Sequence, residues 1–159
     1  ALGLIKDKMP SSWSLICVGR DDGIGDELQE LAKLEGISSH IRWLGEREDV
    51  SSLYNIADIG LLCSHQEGFS NAILEGMAAG LPMIVTNVGG NAEAVINGET
   101  GYVIPSHAPD KISIALQSLI DDQSLRVRMG NAGRMRVQER FDLSECIKNY
   151  DMMYKEVQG

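Results

Sequence analysis

No run of eighteen or more apolar residues occurs in the sequence, so no segment reads as a membrane-spanning helix. Ala1 to Pro10 also lacks the consecutive apolar residues of a signal-peptide core. Basic charge is scarce: fourteen Lys and Arg stand against twenty-three Asp and Glu, a formal charge of −9. That balance opposes broad contact with nucleic acid or an anionic membrane, and no basic cluster offsets it. Nucleic acid is therefore not an expected partner. The three cysteines, Cys17, Cys63 and Cys146, are odd in number and widely spaced. A disulfide scaffold or a four-ligand zinc site needs more ligands at tighter spacing, and no metal is expected. Two of the cysteines sit in apolar runs and read as buried small hydrophobes, which agrees with a cytoplasmic protein.

What is present is the composition of one soluble domain. The chain has 159 residues, 43% of them hydrophobic and 23% charged, enough to fill a single core. No repeat, low-complexity segment or linker divides it. Short apolar runs alternate with amphipathic stretches. Strands are predicted at Trp13 to Val18, His40 to Leu44, Asp58 to Cys63, Pro82 to Thr86 and Gly101 to Ile104. Helices are predicted from about Asp26 to Leu34, Val50 to Ala57 and Asn71 to Ala79, with a short one after Gly90. From Ala108 onward the chain reads as helical, with breaks near Asp121–Ser124 and Phe141–Ser144. This alternation predicts an α/β fold, a Rossmann-like parallel sheet with helices on both faces and ligands beyond the strand carboxyl ends. Ala1 to Lys8 already has helical periodicity, with no strand before it. A doubly wound domain opens with a strand, so the chain is expected to begin inside the fold of a longer protein.

The densest chemical signal runs from Cys63 to Gly80 (CSHQEGFSNAILEGMAAG). A strand ends near Cys63, a loop crosses Gly68, and a helix starts at Ser70 or Asn71, both good N-cap residues. A helix start carries unpaired N–H groups and partial positive charge, which suits phosphate without a basic side chain. Gly68 permits a tight turn or close backbone approach. Glu67 and Glu75 flank this start with seven residues between them. A carboxylate repels a diphosphate, so both are better used as acceptors from neutral hydroxyls. Glu75 lies one turn into the helix and leans toward its start, in reach of a ribose. One phosphate cradle with a carboxylate at each end suits a sugar–diphosphate–nucleoside. Two glutamates at this spacing are also common as solvated residues.

Here the sequence resembles a known family. Glu67-Gly-Phe-Ser-Asn-Ala-Ile-Leu-Glu75, followed by Gly-Met-Ala-Ala-Gly80, looks like the E-x7-E signature of retaining family-4 glycosyltransferases. Gly89-Gly90-Asn-Ala-Glu93, Asn97-Gly98-Glu-Thr-Gly101, Ile41-Arg-Trp-Leu-Gly45 and Tyr54-x3-Asp58 look like that family too. The resemblance covers about residues 3 to 157. It implies one half of a GT-B architecture, the C-terminal half that binds a nucleoside-diphosphate sugar donor. It also implies Glu75 on the donor ribose and Glu67 as the catalytic residue near the reacting face of the sugar. Gly68, Phe69, Ser70 and Asn71 would lie against the diphosphate and sugar, and Arg47 near the base. No cofactor or metal is implied, because helix dipole and basic side chains stabilise the leaving diphosphate. The family's usual diphosphate-binding Arg and Lys lie on a segment before the first helix, which is not in this sequence. The acceptor-binding N-terminal domain is not in it either, and peripheral membrane association is expected only through that half. Alone, the chain is expected to bind donor and not to transfer sugar.

Other features are weaker. Gly19-Arg-Asp-Asp-Gly23-Ile-Gly25 follows a strand without matching G-x-G-x-x-G, and Asp21 with Asp22 would repel a pyrophosphate. It reads as a strand-to-helix turn. His65 precedes Glu67 by two residues and reads either as a sugar contact or as a polar loop residue. His40 and His107 read as edge positions. Gly89-Gly90 reads equally as a ligand wall and as a structural turn. The methionines at 129, 135, 152 and 153 read as helix core, and a helix over 150–157 as an interdomain contact. Transfer of a hexosyl group to a glycan or lipid-linked saccharide is the expected function. A nucleotide-sugar epimerase of the same architecture and a non-catalytic nucleotide-binding domain are the alternatives.

Overall fold

A computed structural model describes residues 1–142 together with 152, 154 and 155. It opens on helix α1 (Leu2–Ile5), extended by a 3-10 turn at Lys6–Lys8. Strand β1 (Leu15–Val18) leads to α2 (Gly25–Leu34), and β2 (Ile41–Gly45) leads to α3 (Val50–Ile56). Next come β3 (Gly60–Leu62), α4 (Asn71–Ala79), β4 (Met83–Thr86), α5 (Asn91–Ala94) and β5 (Gly101–Ile104). Two longer helices follow, α6 (Pro109–Asp121) and α7 (Gln123–Arg140). The expected break between them is Asp122, whose carboxylate accepts the Leu125 N–H at 2.8 Å and starts α7. The expected break near 141 falls at Phe141, the C-cap of α7, and the helix expected over 150–157 lies mostly outside the described residues.

Every strand pair is parallel, as the alternation predicts. Among the described residues the strands divide into two sheets, β1–β2 and β3–β4–β5, with no ladder joining β1 to β3. In the larger sheet, Gly60, Met83 and Gly101 lie in one row, and Leu62, Val85 and Val103 in another. β4 is central and wholly buried, which its uninterrupted apolar run requires. Successive β4 side chains enter opposite cores. Ile84 packs with Ile5, Ile104, Leu116, Leu119 and Met129. Met83 and Val85 pack with Ile73, Met77, Leu81 and Val95 beneath α4. A third, smaller cluster, Ala32, Ile37 and Ile41, lies under α2. Leu2 on α1 packs against both the first and the third cluster, tying the two sheets together.

Several expectations change at the edges. β1 starts at Leu15 because Trp13 stacks instead on His40, with ring centroids 4.4 Å apart. Cys17 is half-buried and Cys63 is exposed, because Cys63 lies past the end of β3 at the sheet's rim. Met129 is core, whereas Met135 is 58% exposed on the outer face of α7. The Gly19–Gly25 turn is a helix start closed by its own carboxylate. Asp21 Oδ1 accepts N–H groups from Gly23, Ile24 and Gly25 at 2.9, 3.1 and 3.0 Å.

Those donors, Gly23 first, hold the Asp21 carboxyl below the usual carboxylate range. A depressed folded-state pKa stabilises the fold above the unfolded value of about 3.9, and that support is lost as pH falls through the folded value. The Gly23 and Gly25 amide resonances are therefore expected to titrate with a midpoint below about 3.9. A midpoint at or above that value in an NMR pH series would remove the capping role.

Candidate functional site

The three strands of the larger sheet end on one rim, and their following loops meet there. The loop after β3 carries Ser64 to Phe69 across the end of β4 to the loop after β5. Three contacts hold it. Thr86, the last residue of β4, donates its hydroxyl to the Ser64 carbonyl oxygen at 2.7 Å. The Gly90 N–H donates to the Gly68 carbonyl oxygen at 2.6 Å. His65 stacks on His107 with ring centroids 4.6 Å apart. Asn91, fully buried, donates from Nδ2 to the Thr86 carbonyl oxygen at 3.0 Å and so braces the end of β4.

Within this loop Glu67 is half-buried, and its Oε1 accepts the Ser64 hydroxyl at 2.6 Å. That bond orients the carboxylate while leaving acceptor capacity open. α4 begins immediately after, with Ser70 as N-cap in extended conformation. Among the described residues no side chain caps this start, so there its first N–H groups keep no side-chain partner. An anion laid there would meet those N–H groups and the positive end of the helix dipole. Asn71 is exposed at the first helical position, and Glu75 is exposed one turn on. The Tyr54 hydroxyl donates to the Ala72 carbonyl oxygen at 3.2 Å. Burial, and secondarily the Glu75 charge, push the Tyr54 pKa up. Glu67, Ser70, Asn71 and Glu75 thus lie along one open helix start.

The other expected site residues take different places. Gly68 adopts no left-handed conformation, and nothing occupies the space a side chain there would fill. The close approach foreseen at Gly68 belongs to Gly89, where φ is +52° and a Cβ would overlap the Glu67 carbonyl oxygen. Gly89-Gly90 is thus a turn that supports the Glu67 loop. Phe69 is 42% exposed, and its ring turns to Phe141 at 5.6 Å between centroids. Arg47 lies beyond β2 in the smaller sheet and forms a two-pronged pair with Asp49, both bonds 2.8 Å. His107, read as an edge position, is the partner of His65 and the only non-glycine residue with positive φ among the described residues, at +57°. Sequence reasoning gave Ser64, Thr86 and Phe141 no part in the site. Ser64 carried a faint signal, three residues before a candidate carboxylate. Among the described residues, no three His, Cys, Asp or Glu side chains are grouped to hold a metal ion. Nor, among them, is any helix long and apolar enough to cross a membrane.

A parallel α/β unit with its open site on the strand carboxyl rim has the fold of GT-B glycosyltransferases. Residues 1–136 match the family model described as glycosyl transferases group 1, and the chain belongs to that family. It is 36% identical over 106 residues to the capsular polysaccharide biosynthesis glycosyltransferase CapM of Staphylococcus aureus. That match covers 67% of this chain and 28% of CapM, so the matched segment spans less than a third of that relative's length. Anabaena Alr3699/HepE, solved in complex with UDP, superposes with a TM-score of 0.88 at 22% identity. The superposition covers 98% of this chain and 44% of HepE. The C-terminal domain of the glycosyl transferase group 1 family protein LpcC from Francisella tularensis gives a TM-score of 0.72 at 22% identity. It covers 89% of this chain and 92% of that domain. At these identities the two structural likenesses speak to the fold.

Proposed function

We propose that the chain is the C-terminal, nucleotide-sugar-binding domain of a retaining, family-4 glycosyltransferase. The observation that carries this reading is the α4 start, free of any side-chain cap among the described residues and flanked by Glu67 and Glu75. The match in extent to the separately solved C-terminal domain of LpcC supports the domain assignment. UDP in the HepE structure supports a nucleoside-diphosphate donor, and the name of CapM supports sugar transfer in polysaccharide biosynthesis, with a hexosyl group and a growing glycan or lipid-linked saccharide as our proposed substrates.

In this reading the diphosphate lies on the N–H groups of the α4 start, between the carboxylates. Glu75 accepts from the ribose hydroxyls. Glu67, oriented by Ser64, accepts from the sugar near its reacting face. Arg47, on the β2 rim, stands toward the base. The bond from the anomeric carbon to the leaving phosphate oxygen breaks, and the acceptor oxygen bonds that carbon on the same face. The acceptor's proton passes to the leaving phosphate oxygen. Charge developing on that phosphate is met by preorganised N–H donors, so the step is proposed to need no metal. An N-terminal acceptor-binding domain would supply the acceptor and the other wall of the cleft, and free thiols at Cys17 and Cys63 agree with work in the cytoplasm.

Ligand-observed NMR with UDP, GDP, ADP and their sugars tests the donor site. One nucleotide is expected to contact the chain selectively. Glu75→Ala is expected to weaken it about 10- to 100-fold, the cost of one or two charge-assisted hydrogen bonds. Absence of contact in the protein joined to its acceptor domain would overturn the reading. Undiminished turnover in that protein carrying Glu67→Ala would overturn the catalytic assignment.

A further inference from the structure

The last described turn of α7 reaches the same rim as the Glu67 loop. Arg136 on that turn donates from Nε to the Ala94 carbonyl oxygen at 2.8 Å and from Nη2 to the Glu93 carbonyl oxygen at 2.7 Å. These bonds fasten the end of α7 to the end of α5. The same guanidinium lies 5.7 Å from the centre of the Phe141 ring, and Phe141 caps α7 through its N–H to the Val137 carbonyl oxygen. A cation over a ring face and a helix cap together fix where that ring stands. The Phe141 ring then meets Phe69 at 5.6 Å between centroids, tilted by 41°, a favourable aromatic geometry. The Phe69 ring also lies against Gly90, where an added Cβ would stand 2.7 Å from Cδ2.

Phe69 directly precedes Ser70, the N-cap of α4. Its ring touches both Gly90 and Phe141, so a turn of its backbone strains the aromatic contact. The neighbouring Gly68 has no side chain to hold the loop, and Ser70 makes no capping bond. The ring pair is therefore the side-chain anchor of the residue that leads into the α4 N-cap, as the Tyr54 bond to Ala72 is of the first turn itself. The sequence places 71 residues between Phe69 and Phe141, and no periodic pattern relates them.

We propose that Phe141 is a positioning residue for the donor site: through Phe69, the end of α7 sets the Gly68–Asn71 backbone that receives the diphosphate. The consequence for ligand binding rests on the donor-site reading above. The consequence for the loop does not. In this role Phe141 acts by removing the freedom of a short backbone segment before the ligand arrives, which lowers the ordering cost of binding.

The test uses the 159-residue chain with Phe141→Ala and Phe141→Tyr, and UDP, GDP and ADP as probes. Hydrogen exchange of the Gly90 amide reports whether the loop stays on its Gly68 partner, without any ligand. Phe141→Ala is expected to speed that exchange about tenfold and to weaken the nucleotide that the unaltered chain contacts about five- to tenfold. Phe141→Tyr, which keeps the ring, is expected to restore both within about twofold. In a double-mutant cycle Phe69→Ala adds little once Phe141 is gone. Gly90 exchange unchanged in Phe141→Ala would overturn the proposal, as would loss of protection spread evenly over β4 and α4. Nucleotide binding unchanged in Phe141→Ala would overturn it too. Should the unaltered chain contact none of the three nucleotides, the donor-site reading is what suffers, and Gly90 exchange still decides the anchor.

Discussion

Gly89→Ala is expected to remove nucleotide contact from a chain that remains folded. Gly89 sits at φ +52°, where an alanine pays about 1–2 kcal/mol for the left-handed conformation alone. The larger difficulty is space. The new Cβ would overlap the Glu67 carbonyl oxygen and stand 2.6 Å from that of Gly68. Both are backbone atoms, so neither can turn aside as a side chain would. The loop must lift, which breaks the Gly90 N–H bond to Gly68 and carries Glu67 away from the α4 start. The buried runs of β4 and α4 lie below this contact and keep their packing. A nucleotide titration is therefore expected to lose more than about tenfold in affinity, with chemical-shift changes concentrated at 64–70 and 86–91. Binding equal to that of the unaltered chain would show that the loop's position does not matter to the ligand.

The second large effect concerns stability. Gly80 ends α4 in the left-handed conformation, φ +87°, with its N–H on the Gly76 and Met77 carbonyl oxygens. Its own carbonyl oxygen faces Gly130 of α7, where an added Cβ would overlap it. Gly130→Ala thus forces two backbones apart. Arg134 would lose its bonds to the Ala78 and Ala79 carbonyl oxygens, and Met77 and Met129, now buried, would open to solvent. A cost of about 3 kcal/mol is expected, at the upper end of overpacking effects. That corresponds to a fall in Tm of about 6–12 °C for a domain of this size. Gly133→Ala is the internal control, because its Cβ would meet Met77 at an ordinary 3.6 Å. Helix propensity then favours the change by up to about 1 kcal/mol. Thermal unfolding of the two variants side by side separates the effects, and equal Tm values would refute the close crossing.

The elements legible in the sequence were those with local causes. α4 spans Asn71–Ala79, as read, because Ser70 can start a helix and Gly80 can end one in the left-handed conformation. β4 declared itself by an apolar run with no polar interruption, the mark of a strand covered on both faces. Glu67, Ser70, Asn71 and Glu75 share one short segment, so their spacing alone placed them around one helix start. The unread parts depend on which loops adjoin. Gly89 supports Glu67 only because β3 and β4 are neighbours in the sheet. His107 meets His65 only because the β3 loop crosses to the end of β5. Nothing within either segment encodes those crossings. Arg47 was placed by resemblance alone; its pairing with Asp49 two residues on is a local contact that spacing permitted and did not reveal.

The division into two sheets bears on how the molecule comes apart. β1–β2 rests on a cluster of three buried residues, whereas each face of β3–β4–β5 rests on seven. With no ladder hydrogen bond crossing between them among the described residues and α1 as the shared cover, the two sheets are expected to behave as cooperative units of unequal strength. The weaker can open while the stronger stays closed. The Glu67 loop belongs to the stronger unit and Arg47 to the weaker. A ligand that engaged both rims would therefore lend most of its binding free energy to the smaller sheet and draw two unfolding events toward one.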